Sequence, residues 1–286
     1  MTQRISIHIA TKDRHSEIAC LLVSLRSQTF QDWDLVIVDE SQTPLNTHVP
    51  TMHLLNRLRL EGHKVNLMRN TMLLGVCHAR NICIDNDTFK NKLTLRVDDD
   101  VILDTDYIEK LYNVLASDYD IASGVTPLVS QPEFIREPKR LNGIVNKIEY
   151  DKEGNIVRLD DDCGMCYDGY VNQPDADGDC LLPFDMVVLP ADHFRSCALY
   201  KTEITDKGIR YESNLSPVGF REESFFSLRA RYLGCNIGVD LSAKAWHFMT
   251  PSGGCRYPNY QELVMQDNEL FMKWSKAMFK EKGEPK

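Results

Sequence analysis

The sequence predicts an α/β domain: a mostly parallel central sheet flanked by helices, with an inserted hairpin and loop region. Three observations predict it. Strand-like and helix-like segments alternate from residue 4 to residue 125, the pattern of strands joined by helical crossovers. The run DLVIVDE (34–40) holds four consecutive apolar residues, as in a parallel strand covered on both faces. Polar residues also collect where the strand-like segments stop: Thr11, Asp39 and the triplet Asp98, Asp99 and Asp100. In open sheets of this kind ligands bind beyond the carboxyl ends of the strands.

The elements follow in order. RISIHIA (4–10) alternates as a strand does, and HSEIACLLVSLRSQ (15–28) carries Ile18, Leu21, Leu22 and Leu25 at helical spacing. After the 34–40 strand, MHLLNRLRLEG (52–62) reads as helix, KVNLMRN (64–70) as strand and VCHARNICIDN (76–86) as helix. KLTLRV (92–97) is a fourth strand that runs into the aspartates. TDYIEKLYNVLAS (105–117) reads as a helix capped by Thr105, and DIASGV (120–125) as another strand.

Beyond 125 the rhythm changes. Pro127, Pro132 and Pro138 interrupt it, and KIEYDKEGNIVRLD (147–160) reads as a hairpin around Glu153, Gly154 and Asn155. DDDCGMCYDGYVNQPDADGDC (160–180) reads as a long polar loop. Its Asp175, Asp177 and Asp179 are spaced like a calcium loop, but the glycine position and the distal glutamate are wrong. Cys163 and Cys166 form one CxxC near Cys180, without the second pair of a zinc site. FDMVVLPA and CALYK read as strands, 216–234 as a helix entered through a proline turn, and NIGVDLSAKAWHFM as the end of the compact part. The resulting division is 1–125, 126–250 within the same compact domain, and a charged helical tail at 251–286.

Composition narrows the function. At 43% hydrophobic, the 286 residues can bury a full core. A net charge of −9 argues against nucleic acid or an anionic membrane as partner, since both recruit basic surfaces. No stretch approaches the roughly 20 apolar residues of a transmembrane span, and the opening residues do not form a secretory signal. Nine scattered cysteines, odd in number, fit reduced thiols in a cytoplasmic protein.

Neither GxGxxG nor GxxxxGK[ST] follows the first strand, so phosphates need another holder. A divalent cation on one or two carboxylates is the obvious one. In an extended strand Asp98 and Asp100 point the same way and Asp99 the other. Glu222 and Glu223 open a helix on which Phe225, Phe226 and Arg229 share the face of Glu222, with Glu223 about 100° away. A helix N-terminus favours the ionised carboxylate, the form a general base needs. Arg80 reads either as a phosphate contact or as a surface ion pair, and His247 either as a metal ligand or as a core histidine.

Together these segments resemble the family 2 glycosyltransferases of the GT-A type. The resemblance rests on ISIHIATKDR, SLRSQTFQDWDLVIVDES, LGVCHARNICID, LRVDDDVILDTDYIEKL and GFREESFFSLRARYLGCNIG. It implies a GT-A fold and metal-dependent, inverting transfer of a sugar from a nucleotide-diphosphate donor, UDP- or dTDP-linked, to a hydroxyl of a carbohydrate or other acceptor. It implies Mn²⁺ or Mg²⁺ as cofactor. Thr11 and Asp39 match positions that hold the nucleotide base, Arg80 one near base and diphosphate, and Asp98 one near the ribose, with Asp99 beside it on the donor side. Asp100 matches a metal ligand, and His247 a further ligand of some members. Glu223 matches the catalytic base better than Glu222, but the run Glu-Glu-Ser departs from the family's usual aspartate and leaves both open. Two rival readings are a sugar-phosphate nucleotidyltransferase and a non-catalytic module that binds nucleotide sugars or carbohydrates.

Overall fold

β1 (Ile5–Thr11) turns Ile5, Ile7 and Ile9 into one hydrophobic core, while its other face meets a helix on the opposite side of the sheet. This period of two recurs in β2 (Trp33–Asp39), where Leu35 and Ile37 join the first core and Val36 and Val38 a second cluster. Both faces of β2 are buried, which is why its sequence is continuously apolar. The computed structural model describes residues 3–130, 146–159 and 188–285.

The other elements of the first half are α1 (His15–Arg26), α2 (Val49–Leu60), β3 (Val65–Arg69), α3 (Val76–Asp85), β4 (Leu93–Asp98), β5 (Val101–Leu103), α4 (Tyr107–Leu115) and β6 (Ile121–Val125). Helix α2 starts before the expected residue 52, because Pro50 occupies its first turn, where a missing N–H costs nothing. Thr105 does not cap α4. The flanking residue is Asp106, and the Thr105 carbonyl instead accepts the N–H of Thr29 at 2.8 Å.

The second half adds the hairpin β7 (Ile148–Tyr150) and β8 (Ile156–Leu159), then β9 (Val188–Ala191), β10 (Ala198–Lys201), α5 (Glu203–Asp206), α6 (Glu222–Arg231), β11 (Ile237–His247) and α7 (Tyr260–Lys282). The hairpin turn falls where expected, with Gly154 at φ 80°. The residues of the CxxC, Cys180 and the calcium-like spacing lie outside the described residues.

The sheet order is β3-β2-β1-β4-β10-β6-β11-β5, with β9 paired to β11. The sheet is mixed rather than mostly parallel. β3, β2, β1 and β4 are parallel, but β10 runs antiparallel to both β4 and β6. β10 is inserted between β4 and β6, which run in one direction, and it runs opposite to both, so antiparallel pairing interrupts the parallel set at that point. β11 is long and irregular between Asp240 and Lys244. Its first part pairs with β6 and β9, and its last residues pair with β5.

Helix α7 extends the compact part beyond its expected end near residue 249. Phe271 is fully buried, and Phe225 of α6 lies 5.1 Å from its ring and 4.9 Å from that of Trp274, centroid to centroid. These aromatics bury enough apolar area to hold a charged helix in place. Among the described residues no helix is long and apolar enough to cross a membrane.

Candidate active site

The three aspartates divide their tasks differently from the expectation of an extended run. β4 ends at Asp98, and the chain turns at Asp99 and Asp100 before β5 begins. The turn breaks the alternation. Asp98 continues the face of β4 that carries Arg96, while Asp99 and Asp100 are drawn together toward Arg14.

On the first side lies a buried ionic network. Arg96 is 2% exposed, and its Nη2 lies 2.7 Å from Glu222, 3.1 Å from Asp98 and 3.1 Å from Glu223. Arg80, on α3, donates from Nη2 to Asp98 at 2.6 Å and lies 2.7 Å from Glu222 through Nε. It is therefore not a surface ion pair: its guanidinium is buried and engaged by both carboxylates. Ser196, at φ 53°, donates to the other oxygen of Asp98. Burial alone would raise the Asp98 carboxyl, but Arg96 and Arg80 overcome it and hold the group well below the usual range. Burial pushes Glu222 up to about 7 against the pull of Arg80 and Arg96.

The two glutamates differ in access. Glu222 has a side chain 6% exposed and is clamped between the two arginines. Glu223 is 25% exposed and touches Arg96 through one oxygen. The face shared by Glu222 and the two phenylalanines is thus the inner face, and Glu223 looks toward the opening.

On the second side, Arg14 donates to Asp99 at 2.8 Å and lies 3.0 Å from Asp100 Oδ2. That second contact has ion-pair distance but not hydrogen-bond geometry, so the buried Oδ2 has no hydrogen-bond partner. Thr11 donates its hydroxyl to Asp99 at 2.8 Å. Burial raises Asp99 to about 6, with Asp100 adding to the rise and Arg14 opposing it. The sheet register delivers the last member: His247 pairs with Val101 across β11 and β5, so its Nε2 sits 3.1 Å from Asp100 Oδ1. Burial lowers the His247 pKa, but the bond to Asp100 outweighs it and the net shift is upward.

The loop entering α6 closes the other wall. Arg221 adopts a left-handed conformation at φ 75° just before the helix, strain tolerated where surrounding bonds impose it. Those bonds come from α7. Asp267 is 2% exposed and accepts the N–H of Ser216 at 2.6 Å, its hydroxyl at 2.8 Å and the N–H of Phe220 at 2.9 Å. Asn268 accepts from the Arg221 guanidinium at 2.8 and 2.9 Å. The loop is also pressed against α3: a Cβ on Gly75 (φ +104°) would lie 2.4 Å from Pro217 Cα. Asp267→Asn turns an amide donor toward groups that themselves donate. It is expected to lower stability by about 2 kcal/mol, read from the midpoint of urea unfolding.

A cavity of about 330 Å³ opens between these walls. Thr11, Arg80, Asp98, Asp99, Asp100, Glu222, Glu223 and His247 all line it, and Asp39 does not. Both Asp39 oxygens are occupied by the loop after β2, accepting the N–H groups of Ser41 at 2.8 Å and Leu45 at 2.7 Å. Its neighbour Glu40 lines the cavity instead, bonded to Asn70, and burial raises its pKa. Sequence reading missed Arg96, Arg14, Ser196, Glu40 and Asp267. Arg96 had a signal, a cation two residues before Asp98 on the same face of an apolar strand. Arg14 and Asp267 had none, because their partners lie 85 and 51 residues away.

The sequence model of Glycosyl transferase family 2 matches residues 6–169. No curated protein matches the sequence. Among solved structures, the mannosyltransferase PcManGT from Pyrobaculum calidifontis, in complex with GDP-Man and Mn²⁺, is similar at TM-score 0.58 and 13% identity, over 97% of this chain and 65% of its own. GalNAc-T7 with UDP, GalNAc and Mn²⁺ is similar at TM-score 0.62 and 13% identity, over 92% and 48%. S. aureus TarS gives TM-score 0.56 and 13% identity, over 96% of this chain and 43% of TarS. The chain thus spans less than half the length of TarS. At such identity these likenesses establish the GT-A fold.

Proposed function

This chain belongs to glycosyl transferase family 2, and we propose that it is a glycosyltransferase that moves a sugar from a nucleotide-diphosphate donor to an acceptor hydroxyl with inversion, using Glu223 as the general base. The observation that carries this reading is the contrast within one cavity between Glu222, locked among guanidinium groups, and Glu223, open to an incoming hydroxyl. A general base must reach the proton it removes. Glu223 takes the proton of the acceptor hydroxyl, whose oxygen forms the new bond to the anomeric carbon. The bond from that carbon to the diphosphate oxygen breaks, and its electron pair leaves with the nucleoside diphosphate. Attack from the face opposite the leaving group inverts the centre.

In this reading Thr11 serves the base side, Arg80 the base and diphosphate, and Asp98 with Asp99 the ribose side of the donor, all from the lining of the same cavity. Asp39 acts on the base side indirectly, by fixing the turn that presents Glu40 to the cavity. A divalent cation fits Asp100 and His247. Asp100 Oδ2 is buried without a hydrogen-bond partner, and an imidazole nitrogen stands beside the same carboxylate. Asp100 and His247 would be the protein's share of such a site, since Mn²⁺ and Mg²⁺ commonly take one or two carboxylates and fill their remaining positions with water or phosphate oxygens. Held there, a divalent cation would supply charge neutralisation for the leaving diphosphate. The Mn²⁺ in the complexes of PcManGT and GalNAc-T7 supports this reading.

A thermal-shift series with UDP, dTDP and GDP, each with and without Mn²⁺, tests it. One nucleotide is expected to raise the melting temperature, and to do so more with the metal, because a ligand that binds only the native state stabilises it. No shift from any of the three, alone or with Mn²⁺, would refute donor binding. Proton NMR of the first-formed glycoside then reads the anomeric configuration, and retention would refute the single displacement.

A further inference from the structure

Asp100 meets two nitrogen partners, one at each oxygen of its carboxylate. His247 Nε2 lies at 3.1 Å from Oδ1, and Arg14 Nη1 at 3.0 Å from Oδ2. Arg14 also bonds Asp99 at 2.8 Å. All three groups of this second pair of contacts are nine-tenths or more buried at the side chain, at 9%, 6% and 1% for Arg14, Asp99 and Asp100. The contact to Asp99 has hydrogen-bond geometry, whereas the contact to Asp100 does not, and Asp100 Oδ2 is left without a hydrogen-bond donor. The guanidinium is confined from above. Cβ atoms on Gly253 and Gly254 would lie 2.8 Å from Arg14 Cγ and 2.6 Å from Arg14 Cζ, so only glycines let that backbone lie over it.

We infer that Arg14 is a resident counter-cation for the Asp99–Asp100 pair, held firmly by Asp99 and only loosely by Asp100, and that it gives up Asp100 when a divalent ion takes that carboxylate. The inference rests on the placement of the cation at Asp100 and His247. Two adjacent buried carboxylates repel, and the guanidinium offsets that repulsion when no metal is bound. The same positive charge, within a few ångströms of the metal position, opposes metal binding. Arg14 therefore sets the metal affinity of the site without being a ligand. A merely structural Arg14 predicts the reverse: removing it would disorder Asp100 and weaken metal binding.

The test is Mn²⁺ binding by the full chain in the presence of UDP, measured by electron paramagnetic resonance and by calorimetry. Arg14→Gln is expected to bind Mn²⁺ about tenfold more tightly than the unsubstituted protein, the size of one close charge partly screened. Equal or weaker binding by folded Arg14→Gln overturns the inference. Asp100→Asn and His247→Ala separate this failure from that of the underlying reading. If both lose Mn²⁺ and Arg14→Gln gains nothing, the counter-cation role alone falls. If neither variant loses Mn²⁺, or the unsubstituted protein binds none, the metal placement falls and the inference with it. Should Arg14→Gln not fold, crystals of the unsubstituted protein with Mn²⁺ and UDP decide: the Arg14–Asp100 contact is expected to open beyond about 4 Å, the limit of an ion pair, and its persistence at 3.0 Å overturns the inference.

Discussion

Glu223→Gln is expected to lower turnover roughly 100- to 10,000-fold, the usual contribution of a positioned general base, while the protein folds and binds its donor as before. The amide keeps the size of the side chain but cannot take a proton from the acceptor. Little stability is at stake, because the side chain is 25% exposed and meets Arg96 through one oxygen at 3.1 Å. The carbonyl oxygen of the amide can keep that single contact to Arg96, which retains Asp98 and Glu222 as its charged partners. Steady-state kinetics and donor titration are measured on the same preparation. Transfer at more than a tenth of the unsubstituted rate would remove Glu223 from the base position.

The neighbouring substitution has the opposite signature. Glu222→Ala is expected to destabilise the fold by about 3–5 kcal/mol, since it leaves Arg80 and Arg96 buried with less counter-charge than they need. Arg96 already carries two buried nitrogens, Nε and Nη1, without hydrogen-bond partners. Taking away its 2.7 Å contact to Glu222 leaves it relying on Asp98 and Glu223, each at 3.1 Å. Urea unfolding gives the loss directly, and an unchanged midpoint would show the network to be dispensable. Activity falls as well, because Asp98 and Glu223 share the same arginine and lose their placement together. Two adjacent glutamates on one helix thus separate into a group whose loss is read in rate and a group whose loss is read in stability.

The contrast explains why the acidic pair was ambiguous in the sequence. Position on the helix distinguishes an inner from an outer glutamate, but not which face is the inner one. That depends on Arg96, which arrives from a strand 127 residues away. The aspartate run shows the same limit. Its location at a strand end was legible from the apolar segment before it, whereas the split of tasks between Asp98 and the other two required the turn at Asp99. Asp39 marks a further case. A carboxylate at a strand end reads identically whether it faces a ligand or caps its own loop, and here both oxygens are taken by backbone N–H groups.

Alternating strand and helix periodicity determined the first half of the fold, because each segment's apolar spacing is a local property. Motif order determined the family and the part of the sheet on which the site lies. Tertiary structure alone decided three things: the mixed sheet, the buried carboxylate of α7 beneath the loop that enters α6, and the pairing of His247 with Asp100. The physical reason is common to all three. Each depends on register or charge pairing between segments far apart in the chain, where the interaction exists only once the backbone has brought them within a few ångströms.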